Sequence, residues 1–357
     1  MGEHTDYNAG LCLPIALPHR TYAAVRLRAD RVLRLRSLQS SEQYELELDE
    51  VRAGNPSGWG GYAAGVLWAL KDAGHEVSGL DLMVDGQVPL GAGLSSSAAL
   101  ECSVAAAVSD LLDLGLFGDD AARARLARIC VNAENTIALA PTGGMDQSAA
   151  LRCQPGHALL LDCRDGVISQ VPFDLSAHGL TLLVMNTRAR HALGDGQYAR
   201  RRASCDEAAR QLGLASLREV AIGDLDLALG RLPDDETRAR TRHVVTEIDR
   251  VAQTVAMLRE GRLPDIGHVF TASHVSMRDD FEISCAELDV AVEAAMTHGA
   301  LGARMTGGGF GGSAIALVPV GATADVTSAV IHAFADRGFG APHCFAVTAA
   351  GPARRDS

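Results

Sequence analysis

Residues 89–101 read Pro-Leu-Gly-Ala-Gly-Leu-Ser-Ser-Ser-Ala-Ala-Leu-Glu. A short apolar run, Leu80–Val84, precedes them, and an Ala-rich helical pattern from Ser96 to Leu112 follows. The segment is therefore a strand-to-helix turn. Gly91 and Gly93 let the backbone turn tightly and approach a ligand with no Cβ in the way. Ser95, Ser96 and Ser97 bring hydroxyls and unpaired N–H groups to a helix N-terminus, which attracts anions through backbone geometry and dipole. An ordinary capped turn would use one such serine; three after Gly-Ala-Gly-Leu point to a phosphate site.

The rest of the sequence narrows the kind of phosphate site. Lys71 is the only lysine in the chain, and it lies in Trp-Ala-Leu-Lys-Asp-Ala with no glycine loop before it. A Walker A loop and a protein-kinase strand lysine are both excluded. Backbone amides, a metal ion and arginine must carry the electrostatic load. A second glycine run, Arg304-Met-Thr-Gly-Gly-Gly-Phe-Gly-Gly-Ser313, formally fits G-x-G-x-x-G. The residues after it, Ala314-Ile-Ala-Leu-Val, read as a strand, not the helix that a dinucleotide site demands. A loop that packs against the phosphate site of the other domain suits it better.

Composition bounds the class. The 357 residues are 47% hydrophobic and 21% charged, enough apolar material for a core. A net charge of −12 disfavours nucleic acid as a partner. The most apolar stretch, Ala98 to Phe117, carries Glu101, Asp110 and Asp113, so no membrane span is expected. The start, Met1-Gly-Glu-His4, has no signal-peptide character. Eight scattered cysteines without a CxxC pair read as reduced thiols of a cytoplasmic protein. Oligomeric state is not legible.

Periodicity places strands at Leu11–Leu17, Ala23–Leu27, Val32–Leu35, Leu80–Val84, Ala158–Leu161, Leu180–Met185, Ser313–Val318 and His343–Thr348. Helices fall at 58–74, 96–112, 119–139, 196–213, 236–258 and 285–298. This mixture without strict alternation is an α+β fold. A break near 175–180 divides the chain into domains of 1–178 and 179–357.

Carboxylates supply the chemistry. Asp146, in Gly143-Gly-Met-Asp-Gln147, is a candidate general base or orienter of a hydroxyl, with helix capping as the plainer alternative. Glu134, twelve residues earlier, is a surface charge when read alone, or an oxygen ligand for Mg²⁺ together with a serine. Gly2-Glu3-His4-Thr5-Asp6-Tyr7 is either a frayed end or a cluster suited to a polyhydroxylated sugar.

Taken together these segments resemble the GHMP kinases, and within them the galactose-phosphorylating branch. The resemblance runs through Gly2–Gly10, Pro89–Glu101, Gly143–Gln147, Asn186–His191 with Tyr198–Cys205, Ser273–Cys285 and 304–313, in the family's order. It implies a two-domain GHMP kinase fold with the active site in the cleft between domains. It also implies MgATP-dependent phosphorylation of galactose at the anomeric hydroxyl. By position, Glu3, His4, Asp6, Gly143 and Tyr198 match sugar contacts, and Asp146 matches the catalytic carboxylate. Pro89, Leu90, Gly91, Ala92, Gly93, Leu94, Ser95, Ser96 and Ser97 match the ATP loop. Ser97 and Glu134 match the Mg²⁺ positions. Trp59 and Tyr62 match a helix read as packing.

One part of the family pattern is missing. The signature is normally preceded by a Pro-Gly-Arg-Val-Asn-Leu-Ile strand, whose arginine faces the transferring phosphate. Here Met1 directly precedes Gly2. A start placed too late, or a shortened and weakened chain, both explain this; the intact remainder favours the first. Alternative functions are a sugar- and ATP-binding sensor without catalysis, or a kinase of N-acetylgalactosamine, mevalonate or homoserine.

Overall fold

The computed structural model describes residues 1–189 and 196–356. Arg190 and His191, at the end of one sugar-side segment, lie outside the described residues. The chain forms two compact units that interleave in sequence. The first gathers Met1–Ile15, Leu90–Leu94 and Gly156–Ala350. The second gathers Ala16–Pro89, Ser95–Pro155 and the residues from Gly351 on. The single cut expected between 178 and 179 does not coincide with this division. Residues 1–15 and 156–178 go with the later part of the chain: β1 (Leu11–Cys12) pairs with β6 (His157–Asp162), β6 with β7 (Ile168–Pro172), and both β1 and β7 pack on the helix Asp235–Arg259.

The second unit is a four-stranded sheet covered by helices. Its order is β2 (Thr21–Leu27), β5 (Leu80–Gly86), β3 (Val32–Ser37), β4 (Ser40–Glu47). Only β3 and β5 run parallel. Four helices belong to it: α1 (Trp59–Asp72), α2 (Ser96–Leu111), α3 (Asp120–Thr136) and α4 (Met145–Arg152). Leu33, Leu35, Leu67, Leu70, Leu80 and Leu126 are the heart of its core. Gly65 lets α1 sit close to α3: a Cβ there would lie 3.1 Å from Ile137 and 3.3 Å from the Ala133 carbonyl. Asp119 caps α3 by accepting from the Ala122 N–H at 2.7 Å.

The first unit holds the short β1-β6-β7 sheet and an all-antiparallel sheet. The latter runs in the order β11 (His343–Val347), β8 (Leu180–Asn186), β10 (Ser313–Pro319), β9 (Gly302–Thr306). β8 and β10 are nearly wholly buried, as a continuous apolar run predicts. Its helices are α5 (Gln197–Leu212), α6 (Leu225–Arg231), α7 (Asp235–Arg259), α8 (Ile266–Asp279), α9 (Ala286–Thr297) and α10 (Thr323–Asp336). The expected strand at 11–17 is only two residues long: Pro14 and Pro18 cannot donate to a ladder. Among the described residues no helix is long and apolar enough to cross a membrane.

Candidate active site

In the first unit, residues 2–10 are a folded turn and not a frayed end. Glu3, His4, Thr5, Asp6 and Asn8 are all buried. The Thr5 hydroxyl lies 2.8 Å from both the Gly2 and Leu11 carbonyls. Asn8 Nδ2 donates to the His4 carbonyl at 2.9 Å. These bonds satisfy a backbone that His4 (φ 64°) and Ala9 (φ 54°) carry through the left-handed region. His4 Nε2 lies 3.2 Å from the Gly308 carbonyl, which only accepts, so that nitrogen carries the proton. His4 Nδ1 is left to accept from the Tyr7 hydroxyl at 2.7 Å. The ring packs against Tyr198 and Phe281, with centroids 4.7 and 4.8 Å away. The structure thus brings His4 and Tyr198 together from opposite parts of the sequence.

Glu3 enters a buried ionic network that sequence reasoning missed. Its Oε2 accepts from the Arg304 guanidinium and its Oε1 from the Thr306 hydroxyl at 3.1 Å. Glu247, on α7, lies 3.9 Å from Arg304 and also pairs with Arg250 at 2.7 Å. Glu3, Glu247 and Arg304 are essentially inaccessible to solvent. Burial pushes both carboxyls up, but the cations around them together outweigh it, Arg304 with the N-terminal ammonium for Glu3 and Arg304 with Arg250 and His243 for Glu247, so each ends below the usual carboxylate range.

Buried imidazoles set the acid limit of this unit. Burial, reinforced by the charge of His243, lowers His4 to about 3. Burial lowers His243, which sits 3.1 Å from the Glu3 carbonyl, to about 4. Both rings stay neutral when folded, whereas in the unfolded chain they take up protons below pH ~6.5. Stability fully present above pH 6.5 is therefore lost as pH falls, by about 1.4 kcal/mol per pH unit for each ring. Urea midpoints should drop steeply from pH 6.5 toward 4, and His243→Asn should flatten the slope. An equally steep slope in that variant would contradict the assignment.

The two glycine runs meet. A Cβ on Gly307 (φ +80°) would lie 2.5 Å from the Gly93 carbonyl oxygen, and one on Gly312 would lie 3.0 Å from that of Ala92. The Ser313 hydroxyl donates to the Ala92 carbonyl at 2.7 Å. The run at 304–313 is thus a brace beneath residues 90–94, which belong to its own unit and not to the other domain. Leu90 is 74% exposed beside it.

In the second unit, Ser95 takes a left-handed conformation (φ 60°) and α2 starts at Ser96. Ser97 and Glu101 are four residues apart and so share one face of α2. Glu134 on α3 is buried, not the surface charge its residue type suggested when read alone. Its Oε2 accepts from Gln147 Nε2 at 2.5 Å. Asp146 lies in the first turn of α4, an element read only as a turn from sequence. Gly144 occupies the cap position, so Asp146 is not the helix cap. Gly143, half-buried, lies just before it. Burial, then the charge of Glu134, pushes the Glu101 carboxyl well above its ordinary range. Burial, then Glu134 and Glu101, pushes the Tyr62 hydroxyl up to about 12, so Tyr62 lies near this cluster. Trp59 does pack, edge-on to Tyr44 at 5.4 Å.

The GHMP kinases N-terminal domain matches residues 61–154 and the GHMP kinases C-terminal domain residues 254–336. Mevalonate kinase from Methanococcus jannaschii shares the fold, with a TM-score of 0.64 at 15% identity. The chain belongs to the GHMP kinases, and the matches place it in their galactokinase branch. The galactokinase galactose-binding signature matches residues 1–27. A galactokinase of Streptomyces coelicolor is 50% identical across 99% of this chain and 91% of that protein. One of Mycobacterium tuberculosis is 45% identical across 96% and 92%. The structure of Lactococcus lactis galactokinase complexed with galactose superposes with a TM-score of 0.92 at 32% identity, covering 99% of this chain and 91% of that one.

Proposed function

We propose that the protein transfers the γ-phosphoryl group of ATP to the anomeric hydroxyl of galactose, giving galactose 1-phosphate and ADP. The observation that carries this reading is the folded, buried Glu3-His4-Asp6 turn, inside the segment that matches the galactose-binding signature. Carboxylates and a neutral imidazole are the groups that hydroxyl-rich rings need as partners. In this reading Glu3, His4, Asp6, Gly143 and Tyr198 line the sugar side, and Pro89 to Ser97 cradle the triphosphate.

A sugar hydroxyl is a poor nucleophile. Asp146 orients it and accepts its proton as the O–P bond forms. A carboxylate in the first turn of a helix is favoured as an anion, which keeps it competent as a base at neutral pH. The helix N-terminus at Ser96 stabilises negative charge on the phosphates. Mg²⁺ fits the residues present: Ser97 and Glu134 offer oxygen only, and two protein donors suit an ion that keeps waters and shares phosphate oxygens. When bound, it neutralises charge building on the transferred group. ATP supply and the eight free thiols suit a cytoplasmic setting.

A coupled assay should show one ADP released per galactose consumed, with little release on N-acetylgalactosamine, mevalonate or homoserine. Saturable galactose binding with no ADP would overturn the catalytic part, and turnover only on another acceptor would overturn the substrate. The brace gives a further expectation. Gly307→Ala forces a left-handed alanine against the Gly93 carbonyl, at about 1–2 kcal/mol of backbone strain. It should raise KM for ATP several-fold and leave KM for galactose unchanged; unchanged ATP kinetics would show that the brace does not shape the loop.

A further inference from the structure

Three polar side chains are shut inside the second unit where α2, α3 and α4 meet. Glu101 and Gln147 are 0% exposed and Glu134 6%. Gln147 Nε2 lies 2.5 Å from Glu134 Oε2 and 3.1 Å from Glu101 Oε2. Carboxylate oxygens accept, so the amide must turn its NH₂ toward both. Gln147 Oε1 has no hydrogen-bond partner. The side chain is thus held through its donors alone. One amide ties a carboxylate on α3 to a carboxylate on α2, and its own backbone follows directly from Asp146. Glu101 is one turn beyond Ser97 on the same face.

From this geometry we infer that Gln147 is a positioning residue for Glu134, fixing one carboxylate oxygen with its amide while Glu101 anchors that amide from the far side. The inference rests on the Mg²⁺ reading given above. A carboxylate on a flexible Glu side chain samples many orientations; a hydrogen bond from a buried, immobile donor selects one. Partners of this kind typically govern metal affinity as strongly as 10–100-fold. They also explain why a glutamine, buried beside two carboxylates at a cost in desolvation, occupies the helix turn that carries Asp146.

Two variants test it. Gln147→Met keeps the shape and removes both donors. Glu101→Leu combined with Gln147→Met makes both anchoring partners apolar, which relieves the unsatisfied burial but still removes the Gln147 amide from Glu134. Mn²⁺ titrated into the ADP complex and followed by electron paramagnetic resonance gives a readout independent of turnover. Both variants should bind Mn²⁺ about 10–100-fold more weakly, with metal-free ADP affinity and KM for galactose unchanged. The double variant should regain the thermal midpoint but not the metal affinity. Wild-type Mn²⁺ affinity in either folded variant overturns the inference and leaves the Mg²⁺ reading standing. A wild-type protein that binds no Mn²⁺ with ADP overturns both. In ¹⁵N-labelled wild-type protein the Gln147 side-chain amide signals should shift when Mg²⁺ joins the ADP complex; unmoved signals overturn the inference without any variant.

Discussion

Asp146→Asn should lower kcat for galactose phosphorylation by about 10²–10⁴-fold, the range in which positioned proton acceptors act. The KM for galactose should stay within a few-fold, because the amide keeps the size and most of the hydrogen-bonding reach of the carboxylate. Stability should fall by no more than about 2 kcal/mol, the upper worth of an anion in the first turn of a partly buried helix. These three numbers separate the roles available to this residue. A cap would show its effect in the thermal midpoint, yet Gly144 holds the cap position of α4. A sugar-binding carboxylate would show it in KM. Only a proton acceptor, or a charge felt chiefly in the transition state, loads the whole effect onto kcat. Steady-state kinetics across pH, with a melting curve on the same sample, checks the prediction. A loss of less than tenfold in kcat would remove Asp146 from the chemistry and leave it as an orienting group.

What could be read from sequence follows from how local each feature is. The strand-to-helix turn was legible because its requirements are local: two glycines, three serines and a helix start within nine residues. The long helices α1, α2, α3, α5 and α7 were legible from period alone. β4 was missed because Ser-Ser-Glu-Gln-Tyr-Glu-Leu-Glu alternates around only two apolar residues, Tyr44 and Leu46. α4 was missed because it is eight residues long and follows a glycine pair that reads as a turn. Glu101 and Gln147 carried no signal of burial, since a glutamate in an alanine-rich helix looks like a solvated charge. The one available clue was spacing: Glu101 falls four residues after Ser97 and so shares its face of the helix. The division into units was illegible for a different reason. It depends on the short strand β1 pairing with β6, some 150 residues away in sequence, which no local pattern records.

Arg304→Met should destabilise the protein by about 3–5 kcal/mol, the usual result of removing one partner from a buried ion pair. β9 holds this arginine wholly inside the first unit, between Glu3 and Glu247. Two of its guanidinium nitrogens, Nε and Nη1, have no hydrogen-bond acceptor, so the net worth of the pair over an apolar trio is modest. Removing the arginine alone is a different matter, because it takes the guanidinium paired with the buried Glu3 side chain and, among the described residues, leaves Glu247 with Arg250 alone. Against a total stability of about 5–15 kcal/mol, that loss is a large share of the whole. The pH dependence identifies the cause. In the wild type Arg304 helps to keep Glu3 and Glu247 ionised despite burial. Without it, burial weighs more heavily on both carboxyls, and most on Glu3, whose pKa moves upward. The folded variant then binds more protons than the folded wild type, so its deficit should shrink as pH falls from 7 toward 5. Glu3→Gln in the Arg304→Met background should recover part of the loss, giving a positive coupling in a double-mutant cycle measured by urea unfolding. A deficit below about 1 kcal/mol, the range of exposed pairs, or one indifferent to pH, would mean that the network is not dry. Glu3 would then owe its position to the Thr5 and Asn8 bonds of its own turn, and the sugar-side carboxylate would not depend on a strand 301 residues away in sequence.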